Sequence, residues 1–403
     1  MKAINATKSQ KPRIKMRIVD WWQEDTEANF YDNPFIKLLG AKYDVIYAKK
    51  PDFLLCGPFG FKHFEYECVK IFYTGENVRV DWNFMDYGMG FDYMDFGEQY
   101  LHLPLHFLCD YDFEHRNLNA RTKFCAYIVR HSGANEWGKS GGLRDRFYDK
   151  LSAYKRVDSG GKWRNNIGHS VENKHKWIQG YKFNICFENS SYPGYLTEKL
   201  FDAYNAGCIP IYWGDTSLRV GFDGESCARN GGGTIPAENY NPNNPESIDT
   251  RIPKISPHLL DYKINPKAFI NAHNFANLDA LVEEVKRIDN DNKACESMRN
   301  EPIFLDNFNP KDFYEKKILD FFDNIFSQSP NLAFRRGEGQ RMDWYRNLLS
   351  LMLNPDNALT VKKFKKYKNL SRGALRIVQI AGFYDEFHKS TRPIRHKLKF
   401  WKR

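Results

Sequence analysis

The stretch "YKFNICFENSSYPGYLTEKLFDAYNAGCIPIYWGD", residues 181 to 215, decides the fold. It opens with an apolar run of strand length (181 to 188) and a polar, aromatic loop, then passes through helical spacing in "TEKLFDAYNAG" (197 to 207) to a second apolar run, "CIPIYWG" (208 to 214). Strand, helix and strand in that order make a unit of an open α/β sheet. The loop then lies at the carboxyl end of its strand, where such sheets bind ligands. Glu198 and Lys199 fall in the first turn of the helix, with Thr197 as the expected N-cap. Free N–H groups and the dipole there favour an anion, Lys199 adds a full charge, and a diphosphate fits the position. Leu200, Ala203 and Tyr204 share one helical face and are expected in the core.

Outward from this unit the same alternation continues. "KFCAYIV" (123 to 129) reads as a strand and "LRDRFYDKLSAY" (143 to 154) as a helix. Before them, "RIKMRIVDWW" (13 to 22), "YDVIYA" (43 to 48), "DFLLCG" (52 to 57) and "KIFYTGEN" (70 to 77) read as strands, with one helix through "ANFYDNPFIKLLG" (28 to 40). A polar connector, "DYDFEHRNLNART" (110 to 122), separates the two blocks. The spacing predicts an α/β protein with two Rossmann-like domains facing a cleft, residues 1–120 and 121–308, a helix at 309–326, and a linker with a basic tail over 327–403.

The residues of the deciding stretch, "FENSSYPGYLTEKLFDAYNAGCIPIYWG", resemble the donor-binding signature of the bacterial α-1,3/4-fucosyltransferases, glycosyltransferase family 10, which build Lewis-type antigens. The resemblance extends through "RDRFYDKLSAY", "GGKWRNNIG", "FYTGEN" (72 to 77) and "DYGMGFDYMDFGEQYLHLPL" (86 to 105), and spans about residues 14 to 325. It implies the GT-B architecture and inverting transfer of L-fucose from GDP-L-fucose to the 3-OH, or the 4-OH, of N-acetylglucosamine in an N-acetyllactosamine-type acceptor. The acceptor would belong to a surface glycan such as a lipopolysaccharide O-antigen. Carried onto this chain, it makes Arg144 and Lys199 the diphosphate contacts, Asn189, Tyr195 and Glu198 contacts to nucleotide, ribose or sugar, and Glu76 the general base. The chemistry agrees, since in-line displacement of GDP needs a carboxylate near the acceptor oxygen and cations near the departing diphosphate. The resemblance implies no required cofactor or metal, with divalent stimulation left open. Judged by its neighbours alone, Glu76 in "TGEN" is a turn residue.

"GANEWGKS" (133 to 140) fits the P-loop pattern G-x-x-x-x-G-K-[ST] letter for letter. Its context is half right, because Arg130, His131 and Ser132 separate it from the preceding strand, and Gly141 and Gly142 delay the helix. A P-loop kinase or NTPase using Lys139 is therefore the second reading, and a loop bordering the diphosphate the first.

Charge bears on partners. Residues 361 to 403 carry 14 Lys plus Arg against Asp385 and Glu386, leaving 46 basic and 48 acidic groups in the rest of the chain. This weakens a nucleic-acid reading of the body, which would need its own positive groove, and nucleic-acid binding through the tail is the third reading. Basic residues interleaved with Phe, Tyr and Trp suit an anionic membrane surface, and the expected location is the cytoplasm, peripheral on the inner face of the membrane. Eight widely spaced cysteines without a C-x-x-C pair are expected as free thiols. Asp110 with Asp112, and Asp289 with Asp291, form D-x-D pairs expected to be solvated, and Pro104 between His102 and His106 argues against a shared metal face. Arg164 is expected at the surface.

Overall fold

The structure, a computed structural model, describes residues 11–119, 121–131, 142–219, 259 and 264–353. "GANEWGKS" with Lys139, Cys227 and the basic segment 361–403 lie outside the described residues. The chain divides into two compact units, residues 1–59 with 68–335, and residues 60–67 with 336–403. Both sheets belong to the first unit.

The first sheet is built from β1 (Arg13–Val19), β2 (Asp44–Tyr47), β3 (Phe53–Cys56), β4 (Val69–Tyr73), β5 (Tyr87–Gly90) and β6 (Tyr100–His102). All pairs are parallel, in the order β2-β1-β3-β4-β5-β6. β1 stops at Val19, short of the expected Trp22, because Asp20 turns into the left-handed region at φ 55°. The single helix expected over 28–40 is two, α1 (Glu27–Asp32) and α2 (Pro34–Leu39). Pro34 has no N–H to continue the first helix, and Asn33 is extended at φ −65°, ψ 133° and caps the second through its side chain on the Phe35 N–H.

The second sheet comprises β7 (Lys123–Tyr127), β8 (Val157–Ser159), β9 (Tyr181–Phe187), β10 (Ile209–Trp213) and β11 (Ile270–Asn271), in the order β11-β10-β9-β7-β8 and again wholly parallel. Its helices are α3 (Leu143–Tyr154), α4 (Lys174–Ile178), α5 (Glu198–Asn205), α6 (Leu278–Asn290) and α7 (Asn292–Asn300). Leu200, Phe201 and Ala203 of α5 are fully buried and Tyr204 nearly so. Burying each of Leu200 and Phe201 contributes about 1.5–3 kcal/mol, which seats α5 and so aims its amino end. The 18-residue helix α8 (Pro310–Ser327) returns to the first sheet: Phe321 meets Tyr87, Phe322 meets Phe35 and Phe326 meets Phe53, while Asp323 takes hydrogen bonds from Lys42 and Tyr43. Two parallel α/β sheets in succession are the architecture the sequence implied, the GT-B class.

The loop after β9 reaches the first sheet's loops. Gly194 sits at φ 83°, and a Cβ there would lie 2.1 Å from the Phe91 carbonyl oxygen, so only glycine admits the approach. The Arg79 guanidinium covers the Tyr192 ring at 3.7 Å and the Phe91 ring at 4.6 Å, and pairs with Asp92 at 2.8 Å.

Among the described residues seven cysteines are free, and Cys56, Cys125, Cys186, Cys208 and Cys295 are buried. No helix among them is long and apolar enough to cross a membrane.

Candidate active site

Glu76 lies three residues beyond the end of β4, in a turn closed by Thr74. The Thr74 Oγ1 accepts the Glu76 N–H at 3.0 Å and donates to the Glu76 carbonyl at 2.9 Å, which holds the carboxylate half-buried at the carboxyl edge of the first sheet. From the second sheet, β9 delivers Glu188 and then Asn189. The Asn189 Nδ2 donates to Glu76 Oε2 at 3.2 Å, and its Oδ1 accepts the Tyr195 hydroxyl at 3.0 Å. Next to it, the Asn77 Nδ2 donates to the Ser190 Oγ at 2.7 Å. Two loops separated by more than a hundred residues thus meet at Glu76.

Behind this chain lies a carboxylate that sequence reasoning missed. Glu188 is fully buried. It accepts the Thr197 N–H at 2.9 Å, the Thr197 hydroxyl at 2.7 and 2.8 Å, and the Lys199 ammonium at 2.7 Å. Thr197 is therefore the N-cap residue of α5 by position, but its hydroxyl serves Glu188 in place of the expected capping bond. Burial raises the Glu188 carboxyl above its ordinary range, opposed by Lys199. For Lys199 burial works against the charge, yet Glu188 and Glu198 outweigh it and hold the ammonium well above its usual value. Burial likewise opposes the charge of Glu198, and Lys199, 3.5 Å away, together with Lys174 keeps it below the usual carboxylate range. Lys199 keeps 27% of its side chain exposed while Glu188 fixes its ammonium in place. The one signal for Glu188 in the sequence is an acidic residue ending an apolar strand.

Asp215, just past β10, is a second buried carboxylate. It accepts the Gly194 N–H at 2.6 Å and the Ser217 N–H and hydroxyl at 2.8 and 2.6 Å, so it fixes the loop that presents Tyr195. Burial pushes its pKa up to about 6, against those hydrogen bonds.

Arg144 is the second residue of α3, 7% exposed, above the end of β7. Its Nη2 donates to the His131 carbonyl at 3.1 Å, while its Nε is buried with no partner among the described residues. A buried guanidinium N–H without an acceptor fits an anion contact. Asn189 and Tyr195 are joined to Glu76, and Glu198 to Lys199, by the contacts above; Arg144 is hydrogen-bonded to none of these among the described residues and stands at the neighbouring strand end.

The side candidates sort by their surroundings. Asp110 and Asp112 are exposed, as expected. Asp289 corrects the expectation of a solvated pair: it is 8% exposed and held by Lys155 at 3.0 Å, Lys182 at 2.6 Å and Tyr154 at 3.1 Å, a structural anchor for the end of α6. His106 is buried and stacks on Phe201, while His102 lies against Tyr93. Arg164 pairs with Asp149 near the surface. No group of three or more His, Cys, Asp or Glu side chains among the described residues is arranged to hold a metal ion.

Residues 16–109 match the model of the alpha-(1,3)-fucosyltransferase FucT N-terminal domain, and residues 118–221 that of the glycosyltransferase family 10 (fucosyltransferase) C-terminal region. The chain is 28% identical to the alpha-(1,3)-fucosyltransferase FucT of Helicobacter pylori over 82% of its own length and 70% of the relative's. It is 35% identical to the 4-galactosyl-N-acetylglucosaminide 3-alpha-L-fucosyltransferase of Homo sapiens over 24% of its own length and 25% of the relative's. In structure it is similar to a crystallised alpha1,3-fucosyltransferase with GDP, with a TM-score of 0.60 at 24% identity over 83% of this chain and 95% of that one, a likeness of fold. Both family models fall on the two sheets whose facing loops carry Glu76 and Lys199, and the chain belongs to the glycosyltransferase family 10 fucosyltransferases.

Proposed function

We propose that this fucosyltransferase moves L-fucose from GDP-L-fucose to the 3-OH, or the 4-OH, of N-acetylglucosamine in an N-acetyllactosamine-type glycan, with inversion at C1. The observation that carries the reading is the hydrogen-bonded junction of Glu76, Asn189 and Tyr195 beside the Glu188-anchored Lys199. In the proposed step the acceptor hydroxyl attacks C1 of β-L-fucose as Glu76 takes its proton. The C1–O bond to the β-phosphate breaks, its electron pair leaves on GDP, and an α-fucoside forms. Asn189 and Tyr195 orient Glu76 and contact the sugar or nucleotide with Glu198. Lys199 and Arg144 meet the charge that develops on the diphosphate, so no metal is required for departure.

The basic segment 361–403 is proposed to hold the enzyme on the anionic cytoplasmic face of a membrane, where a lipid-linked acceptor such as an O-antigen precursor is within reach. Incubation with GDP-fucose and N-acetyllactosamine, followed by NMR of the product, tests the transfer: an α-fucose on the 3-OH or 4-OH of the glucosamine is expected. ATP turnover without fucosylation would return the chain to the P-loop reading of Lys139.

A further inference from the structure

Three aromatic rings at the carboxyl ends of β1 and β3 have no part in the chemistry described so far. Trp22 is 40% exposed and Phe59 48% exposed, with ring centroids 5.0 Å apart. Trp21 stands edge-on to Trp22 at 5.0 Å and leans on the buried Tyr73 at 5.6 Å; Trp22 itself lies 6.0 Å from Tyr73. Tyr73 is the last residue of β4, three before Glu76.

The backbone is built to hold these rings out. Asp20, immediately before them, turns the chain out of β1 in the left-handed region at φ 55°, which Asp adopts more readily than most non-glycine residues. The two strand ends are stitched together by hydrogen bonds from the Gly57 N–H to the Val19 carbonyl at 3.2 Å and from the Phe59 N–H to the Asp20 carbonyl at 3.0 Å. A Cβ at Gly57 would lie 2.5 Å from the Asp20 oxygen and 3.2 Å from the Trp21 ring, so glycine is needed for the seam. Trp21 also lines a small pocket together with Gln23, Glu24, Asn29 and Asn33.

Flat apolar faces with hydrogen-bonding groups alongside suit a neutral pyranose, whose C–H face stacks while its hydroxyls pair. β1 is two strand positions from β4 in the sheet, about 10 Å, so a ring on this platform is one sugar removed from the one whose hydroxyl reaches Glu76. We propose that Trp22 and Phe59 form a stacking subsite for the galactose of the acceptor, setting preference for the disaccharide over free N-acetylglucosamine. This inference rests on the fucosyl-transfer reading.

The test compares wild type, Trp22→Ala, Phe59→Ala and Trp22→Phe with N-acetyllactosamine and with N-acetylglucosamine as acceptors. Each alanine variant is expected to raise KM for the disaccharide about tenfold, with kcat, KM for GDP-fucose and KM for the monosaccharide unchanged, and Trp22→Phe to recover to within about threefold. An unchanged disaccharide KM, or an equal loss on both acceptors, overturns the subsite. If the wild type transfers to neither, the fucosyl-transfer reading is what fails, and saturation-transfer NMR with N-acetyllactosamine then decides the platform. Saturation of the galactose protons in wild type and not in the Trp22→Ala/Phe59→Ala variant supports it; no saturation overturns it, including when the patch serves a protein partner.

Discussion

Replacing Lys199 by Met separates its two tasks, anchoring Glu188 and meeting the diphosphate. Glu188 is wholly buried and Lys199 is its one cationic hydrogen-bond partner among the described residues, at 2.7 Å; only the Thr197 N–H and hydroxyl remain when the ammonium is removed. Breaking a buried pair by removing one partner costs about 3–5 kcal/mol, and the two surviving donors put this case near the lower end, about 3 kcal/mol. Adding Glu188→Gln removes the stranded charge while its amide oxygen still accepts from Thr197, so the double variant is expected to return to within about 1 kcal/mol of wild type. Urea unfolding of the four members of the cycle without nucleotide, followed by tryptophan fluorescence, gives a coupling of about 2–3 kcal/mol. Acceptor-dependent GDP release should stay lost in both variants lacking Lys199. A Lys199→Met protein within about 0.5 kcal/mol of wild type, or a double variant as unstable as the single, refutes the anchoring argument.

Asp215 makes stability depend on pH. Its folded pKa is raised from 3.8 to about 6, so its contribution is complete below the unfolded value and is lost as pH rises through about 6. The unfolding free energy of wild type relative to Asp215→Asn should fall by about 2–3 kcal/mol between about pH 4 and about pH 7, and parallel profiles would exclude the effect. At Gly194, with φ 83° and an added Cβ only 2.1 Å from the Phe91 oxygen, substitution by Ala should cost about 2 kcal/mol or more and slow transfer, read as a lowered melting temperature beside the GDP-release rate; an unchanged melting temperature would mean the loop approach is dispensable.

The deciding stretch was legible because strand, helix and strand each show their own period. The expected helix over 143–154 coincides with α3, and 181–188 and 208–214 match β9 and β10 to within two residues. What escaped detection depended on tertiary context. β5 reads "YGMG", with two glycines and no alternation, and is a strand only because β4 and β6 pair with it. The helix expected across Asn33 and Pro34 ran together because apolar spacing continues through the break. In the site, Glu76, Asn189, Tyr195, Glu198 and Lys199 were marked by the family resemblance, and the structure adds which touch. Glu188 adjoins Asn189 in the sequence, but its role depends on Thr197 and Lys199 folding back over it nine and eleven residues later. Asp289 was misread for the same reason: its lysines come from β9 and from the residue after α3.

The most direct test of the central claim is Glu76→Gln. Gln keeps an acceptor for the Asn189 amide and removes only the ability to take a proton, so GDP-fucose affinity should stay unchanged while acceptor-dependent GDP release with N-acetyllactosamine falls by about 10²–10⁴. Release within about threefold of wild type would contradict the account and place the base elsewhere.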